Sequence, residues 1–311
     1  MATELTIVMY HYVRELDRTR YPMIKGLELA GFRRQLDYLQ SNHTIVRMED
    51  VIAAIRGHGD LPPGAALLTF DDGYAEHFDL VFPILHDRGL QGSFFPPVAT
   101  VRHGELLDVN RVHFVLASCD SPTRLAAAID SAVSSADRAD VLSPSEYRNE
   151  WAHPNRFDDV ETIYVKRMLQ TALPPDFRAS VARDLFDRFV SVDEAAFASE
   201  LYLSEEQARL MVSCGMYFGS HGVSHHWLNR VDRDTQQAEI DGSIEFLGSI
   251  GMPVTDHWAM CYPFGGWDDS LIDILEAANC TVGVTTEVAT AMIGEHDPLR
   301  LPRFDTNDLP Q

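Results

Sequence analysis

An unbroken apolar run, Ala65-Ala66-Leu67-Leu68, continues through Thr69 and Phe70 and ends on two adjacent acids, Asp71 and Asp72, followed by Gly73. The run predicts a strand over residues 65–70. Side chains alternate across a strand, so two neighbouring carboxylates cannot both enter a packed core. At a strand end they can diverge, one toward a metal ion and one toward a proton. An Asp-Asp-Gly exit is also an ordinary turn sequence, and taken alone the segment leaves both readings open.

The surrounding pattern narrows the fold. Leu5-Thr6-Ile7-Val8-Met9-Tyr10 reads as a buried strand running into His11. Apolar residues at Leu29, Phe32, Leu36 and Leu39 recur at helical spacing over 28–40. A short strand is expected from Thr44, a helix over 49–55, and a Gly- and Pro-marked loop over 57–64. Residues 76–88 predict a helix that Pro83 either kinks or opens and Gly89 caps, with a strand over 92–95. Strands alternating with helices across short connections specify a parallel α/β layout. An α/β barrel carries its chemistry at the C-terminal strand ends, and His11, Asp71 and Asp72 fall at such ends.

Residues 104–213 differ. Helical runs are expected over 110–118, 123–137, 160–172, 176–190 and 204–213, with breaks at Ser143-Pro144 and Leu173-Pro174-Pro175. Beyond them the strand–helix pattern resumes: a strand over 216–219, a helix over 232–250, a strand over 257–262, and a helix over 268–279 with Asp268 as N-cap. Strands over 280–285 and 299–304 follow. The expected organisation is a catalytic α/β domain of residues 1–103 and 214–311, with a mainly helical insertion over 104–213. The insertion reads either as a lid or specificity wall, or as a packing or dimerisation element.

Composition sets outer limits. The chain has 311 residues, 45% hydrophobic and 23% charged, as in ordinary soluble globular proteins. A core of normal size needs no disulfide or structural metal. Cys119, Cys214, Cys261 and Cys280 lie far apart with no C-x-x-C pair, which argues against a zinc ribbon and a disulfide framework and fits reduced thiols in a cytosol. No basic and apolar leader opens the chain, and no window approaches about 18 consecutive apolar residues. A cytoplasmic location without a membrane span is expected. The net charge of −22 repels phosphate backbones and anionic lipid, so nucleic acid is not an expected partner. An anionic sugar nucleotide stays compatible, because local basic groups can override the average.

Two further segments carry chemistry: Ser220-His221-Gly222-Val223-Ser224-His225-His226-Trp227-Leu228 and Cys261-Tyr262-Pro263-Phe264-Gly265-Gly266. Gly219 and Gly222 argue against a regular helix around His221 and His225, so a loop or single turn is expected. Two imidazoles and a carboxylate suit a zinc-like ion, and three protein ligands leave positions open for water and substrate. His226 reads as a neighbour of the pair.

In this order the three segments resemble the motifs of the polysaccharide deacetylase family, the NodB-homology or carbohydrate esterase type. The resemblance covers roughly residues 1–103 and 214–311. It implies an incomplete or distorted (β/α)7 barrel. It implies Asp72, His221 and His225 as ligands of one divalent ion, zinc first, with cobalt, nickel or manganese compatible. It also implies Asp71 as general base and the Phe264 backbone N–H as an oxyanion donor. The implied substrate is an N-acyl amino sugar, free, nucleotide-linked or lipid-linked. The implied reaction is removal of its acetyl or formyl group in surface polysaccharide or lipopolysaccharide biosynthesis.

Two departures matter. Cys261 stands where the family often has the arginine that orients the base, and Arg303 is the candidate replacement. The family's late histidine, its general acid, has no clear counterpart; His296 and His11 are the candidates. Two competing readings are an amide hydrolase acting on a small non-sugar molecule and a non-catalytic sugar-binding protein with a degenerate site.

Overall fold

The apolar run forms its strand, Ala65–Asp71, buried at every position, in a computed structural model that describes residues 3–154, 158–254 and 257–310. Seven strands, numbered in chain order, make a ring: β1 (Thr3–Tyr10), β2 (Ala65–Asp71), β3 (Ser93–Phe95), β4 (Tyr217–Phe218), β5 (Trp258–Cys261), β6 (Cys280–Val284) and β7 (Phe304–Asp305). β1 pairs with β2, β2 with β3, and β3 with β4, all in parallel. A bridge between Ser220 and Met260 carries the ring from β4 to β5, and β5 pairs with β6. A second bridge, Val284 to Leu301, leads toward β7, which returns in parallel to β1. The architecture is a distorted (β/α)7 barrel.

The distortion has a local cause. The N-terminal half of β1 pairs antiparallel with Ala291–Ile293, and only its C-terminal half meets β7. β2 likewise shares one edge between Thr44–Ile45 and β3. Ala291–Ile293 lacked a clear pattern in sequence because it is only three residues long.

Strand alternation sets which side chains meet the site. Tyr10, Phe70, Phe94 and Phe218 occupy paired positions on four adjacent strands, with ring centroids 5.0, 4.8 and 5.5 Å apart in turn. Phe32 of helix Leu29–Asn42 meets Tyr10 and Phe70 edge-on, so this aromatic row faces the surrounding helices. The alternate residues, Thr69 and Asp71, therefore point into the barrel.

Caps follow the sequence closely. Asp268 accepts the Leu271 N–H and Asp232 the Thr235 N–H, opening helices Asp269–Ala277 and Arg233–Ser249. The expected helix over 76–88 comes in two parts. A wider turn, His77–Val81, precedes Phe82–Asp87, and the Phe82 N–H reaches back to the His77 carbonyl. Pro83 follows that wider turn, at the start of the second part, so the backbone stays helical around a residue with no N–H to give.

The chain divides into two compact units: Met1–Glu15, Gly26–Glu105 and Ala198–Gln311 form one, Leu16–Lys25 and Leu106–Phe197 the other. The first holds the barrel. It includes helix Glu205–Ser213, because Ala208 and Met211 lie in the barrel's hydrophobic core. The second is helical. Its segment 16–25 packs there through Tyr21, whose ring meets Phe114 at 5.0 Å and Phe197 at 5.8 Å. The expected breaks at Ser143-Pro144 and Pro174-Pro175 are helix starts: Pro144–Trp151 and Pro175–Phe189 begin on the prolines. Ser143 and Glu146 complete a capping box. Among the described residues, no helix is long and apolar enough to cross a membrane.

Candidate active site

Asp71 ends β2 inside the barrel, buried and paired with Arg303. Both carboxylate oxygens receive a guanidinium nitrogen at 2.9 Å. The other Arg303 donors go to the Thr285 carbonyl at 2.8 Å, Thr69 Oγ1 at 3.1 Å and Cys261 Sγ at 3.3 Å. All five N–H groups of the fork are thus engaged, which fixes its plane. Burial alone would favour the neutral acid. The Arg303 charge, joined by His11 and His221, outweighs it and holds the Asp71 carboxyl below the usual range. The arginine absent at Cys261 is present in space, delivered from the chain just before β7.

Asp72 leaves the strand in a left-handed conformation, φ 71°, which sends its carboxylate away from Asp71. Gly73 follows at φ 68°, where a Cβ would lie 2.5 Å from Pro96 Cβ, so the turn requires glycine. One Asp72 oxygen accepts the Tyr74 hydroxyl at 2.6 Å. The other, Oδ1, is buried without a hydrogen-bond partner. It lies 3.5 Å from His221 Nε2 and 3.4 Å from His225 Nε2. Ligand atoms of Asp72, His221 and His225 all fall within 4.8 Å of one another.

The histidine segment is a loop, not a helix, with Gly222 at φ 73° and His225 at φ 56°. His221 Nδ1 lies 2.7 Å from the Cys261 carbonyl. It donates there, so the second proton, on Nε2, faces Asp72. Burial disfavours that proton, but the Cys261 and Asp72 side chains outweigh burial and hold the imidazole well above its ordinary value. Only when that proton leaves does Nε2 offer a lone pair. Burial pushes the His225 imidazole below its ordinary value, toward the neutral form. Burial also pushes the Tyr74 phenol well up, and the Asp72 charge adds to it, so Tyr74 stays a donor.

These features fit a divalent ion. The orphaned Asp72 Oδ1 and the Nε2 atoms of His221 and His225 lie together, oxygen and nitrogen donors suited to zinc and its neighbours. Tyr74 and the Cys261 carbonyl hold the outer atoms of two of the three groups.

His11 borders the site. Its Nε2 is 3.9 Å from Asp71 Oδ2, and its side chain is 39% exposed. Phe264 does too. Its ring meets those of His225 and Trp227 at 4.7 and 4.6 Å, and its backbone sits at φ 57°. Of the four non-glycine residues with positive φ among those described, Asp72, His225 and Phe264 are in this site. Such conformations cost about 1–3 kcal/mol each and concentrate where geometry is functional. His296 is elsewhere. It bridges to Ile293 beside the N-terminal half of β1, and it shares a cavity with Thr3. The length of the barrel separates it from Asp71, so the general-acid candidacy of His296 is corrected.

Sequence reading missed three supports: Tyr74, Glu239 and His77. Tyr74 directly follows the acid motif and was visible as a neighbour. His77 is buried, with Nε2 2.8 Å from the His11 carbonyl, and gave no sequence signal. Its pKa is pushed down to about 4 by burial. A neutral folded His77 against an unfolded value near 6.5 means that the unfolded chain binds the extra proton first. Its contribution is full above about pH 6.5 and is lost as pH falls toward about 4, roughly 3 kcal/mol in all. In His77→Gln this part of the slope should vanish, as measured by urea unfolding at pH 5 and pH 7. An unchanged slope would contradict the assignment.

Comparison with known proteins agrees with the geometry. The polysaccharide deacetylase family profile matches residues 188–283, which include the histidine loop and Phe264. No curated protein sequence matches the chain. In fold it is similar to the Streptococcus pyogenes deacetylase PplD in complex with acetate, at 16% identity and TM-score 0.60, covering 98% of this chain and 93% of that one. IcaB from Ammonifex degensii gives 16% identity and TM-score 0.57, with 97% and 91% covered. A de-N-acetylase from Aggregatibacter actinomycetemcomitans gives 16% and 0.53, with 97% and 95% covered. The resemblance read from the three motifs thus extends to the fold of nearly the whole chain.

Proposed function

We propose that this chain is a metal-dependent hydrolase that removes an N-linked acyl group, acetyl first and formyl second, from an amino sugar of a polysaccharide or its precursor. The observation that carries it is the orphaned Asp72 Oδ1 facing His221 and His225, beside a second acid held ionised by Arg303. A binding module needs neither feature. The polysaccharide deacetylase family match supports a sugar substrate, and the similarity in fold to a deacetylase and a de-N-acetylase supports acyl removal. The surface-glycan or lipopolysaccharide setting rests on the sequence resemblance.

Asp72, His221 and His225 would hold the divalent ion, zinc first. When bound it supplies Lewis acidity for the acyl carbonyl and the attacking water. Asp71, ionised and fixed by Arg303, takes the proton that water loses. The Phe264 N–H, on its left-handed turn, donates to the oxyanion that develops on the carbonyl carbon's oxygen. His11 at the rim gives a proton to the departing amine, so that the products are a free amino sugar and a carboxylic acid.

The test is release of acetate from N-acetylglucosamine oligomers. Chelated protein should release none, and zinc should restore release. Asp71→Asn should lower the rate by about 10²–10⁴-fold. Release that survives chelation, or sugar binding without any release, would overturn the proposal.

A further inference from the structure

The loop that carries both histidines is gripped from two sides. On one side its carbonyls accept backbone N–H groups, Gly222 from Val98 at 3.2 Å and Val223 from Ala99 at 2.8 Å. On the other, its N–H groups converge on one carboxylate oxygen. Glu239 Oε2 accepts Val223 N–H at 2.6 Å and Ser224 N–H at 2.9 Å. Glu239 is buried on helix Arg233–Ser249, one turn from Gln236. Gln236, also buried, donates to the Leu228 carbonyl just beyond the loop and to Asp268. Residues three apart share a helix face, so one face of this helix anchors the loop at two points.

The fit is close. A Cβ at residue 222 would sit 2.7 Å from Glu239 Oε2, and one at 242 would sit 2.7 Å from Val223 Cγ2. Glycine at both positions lets the loop and helix approach until the carboxylate reaches two amides. A buried carboxylate is costly unless its oxygens are satisfied by donors. Here the donors to Oε2 are the amides of Val223 and Ser224, between His221 and His225, while Oε1 lies 4.0 Å from His226 Nε2.

Resting on the proposed metal site, we infer that Glu239 is a positioning residue for that site. It fixes the bite of His221 and His225 by holding the two amides between them, without touching the ion or the substrate. Its charge makes these hydrogen bonds stronger than neutral ones. They hold His225 in its positive-φ conformation, which the residue does not favour on its own.

The test is zinc affinity of the purified full chain, measured by competition with a chromophoric chelator, alongside thermal unfolding of the metal-free protein. Glu239→Ala should weaken zinc binding about 10–100-fold, the range for groups that orient ligands. Glu239→Gln keeps one acceptor oxygen in the same place and should recover part of that loss. Zinc affinity equal to the parent in a folded Glu239→Ala protein would overturn the inference and leave Glu239 a helix-packing residue. Should Glu239→Ala not fold, Glu239→Gln decides: parental affinity overturns the inference, and weakened affinity in a protein with unchanged metal-free unfolding supports it. Absence of zinc binding in the parent protein would overturn the metal site itself, a result distinct from the other two.

Discussion

Substituting His221 by alanine is expected to abolish tight zinc binding and, with it, N-acyl sugar hydrolysis. The imidazole supplies one of three donors, and its Nδ1 is already committed to the Cys261 carbonyl. Its loss leaves Asp72 and His225, too few to hold the ion against water. The fall in affinity should exceed the 10–100-fold that outer partners cost. Metal content of the purified variant, beside acetate release, reads both effects. His296→Ala is the control: that side chain lies beside Ile293 and Thr3, and its removal should change neither reading. A His221→Ala protein that kept its zinc would sink the assignment of the ligand set.

The second large effect belongs to Arg303→Leu. Removing the guanidinium leaves a buried carboxylate without its partner, which destabilises by about 3–5 kcal/mol. The sign of the pH dependence also reverses. In the parent, Asp71 has a depressed pKa, so its contribution to stability is full above about pH 3.9 and is lost as pH falls through the folded value. In Arg303→Leu, burial acts with little opposition, and the folded pKa rises above the unfolded one. Stability then falls as pH rises from about 3.9 toward that raised value. The general base is protonated at neutral pH, and the rate drops by about 10²–10⁴-fold. The acid limb of kcat/KM against pH should move upward, with activity partly returning in alkaline buffer. Arg303→Lys keeps the charge but not the two-pronged geometry and should rescue incompletely. Adding Asp71→Asn to Arg303→Leu should restore stability but not activity, which separates the pair's structural and chemical roles. An acid limb that stays in place would refute the coupling of Arg303 to the base.

Periodicity and motif spacing determined much of this protein before any coordinates. The strand ending at Asp71, the helix buried through Phe32, Leu36 and Leu39, and the cap at Asp268 are local matters. They depend on residues within a few positions of one another, so the sequence displays them directly. The same holds for Asp71, Asp72, His221 and His225, whose types and spacing announce a ligand set with an adjacent base.

Tertiary structure decided the rest. Cys261 and Arg303 are far apart in sequence, and only barrel closure brings the guanidinium to the vacant position beside Asp71. His296 looked as suitable as His11, and the register of Ala291–Ile293 on the start of β1 removed it. Glu239 on its helix resembled any polar residue of an amphipathic segment, until the helix packed against the loop and the carboxylate met two amides. Identity and spacing fix what a residue can do within its own turn or strand. Which distant group completes its hydrogen bonds, and so sets its charge and orientation, is fixed only when the ring of strands closes.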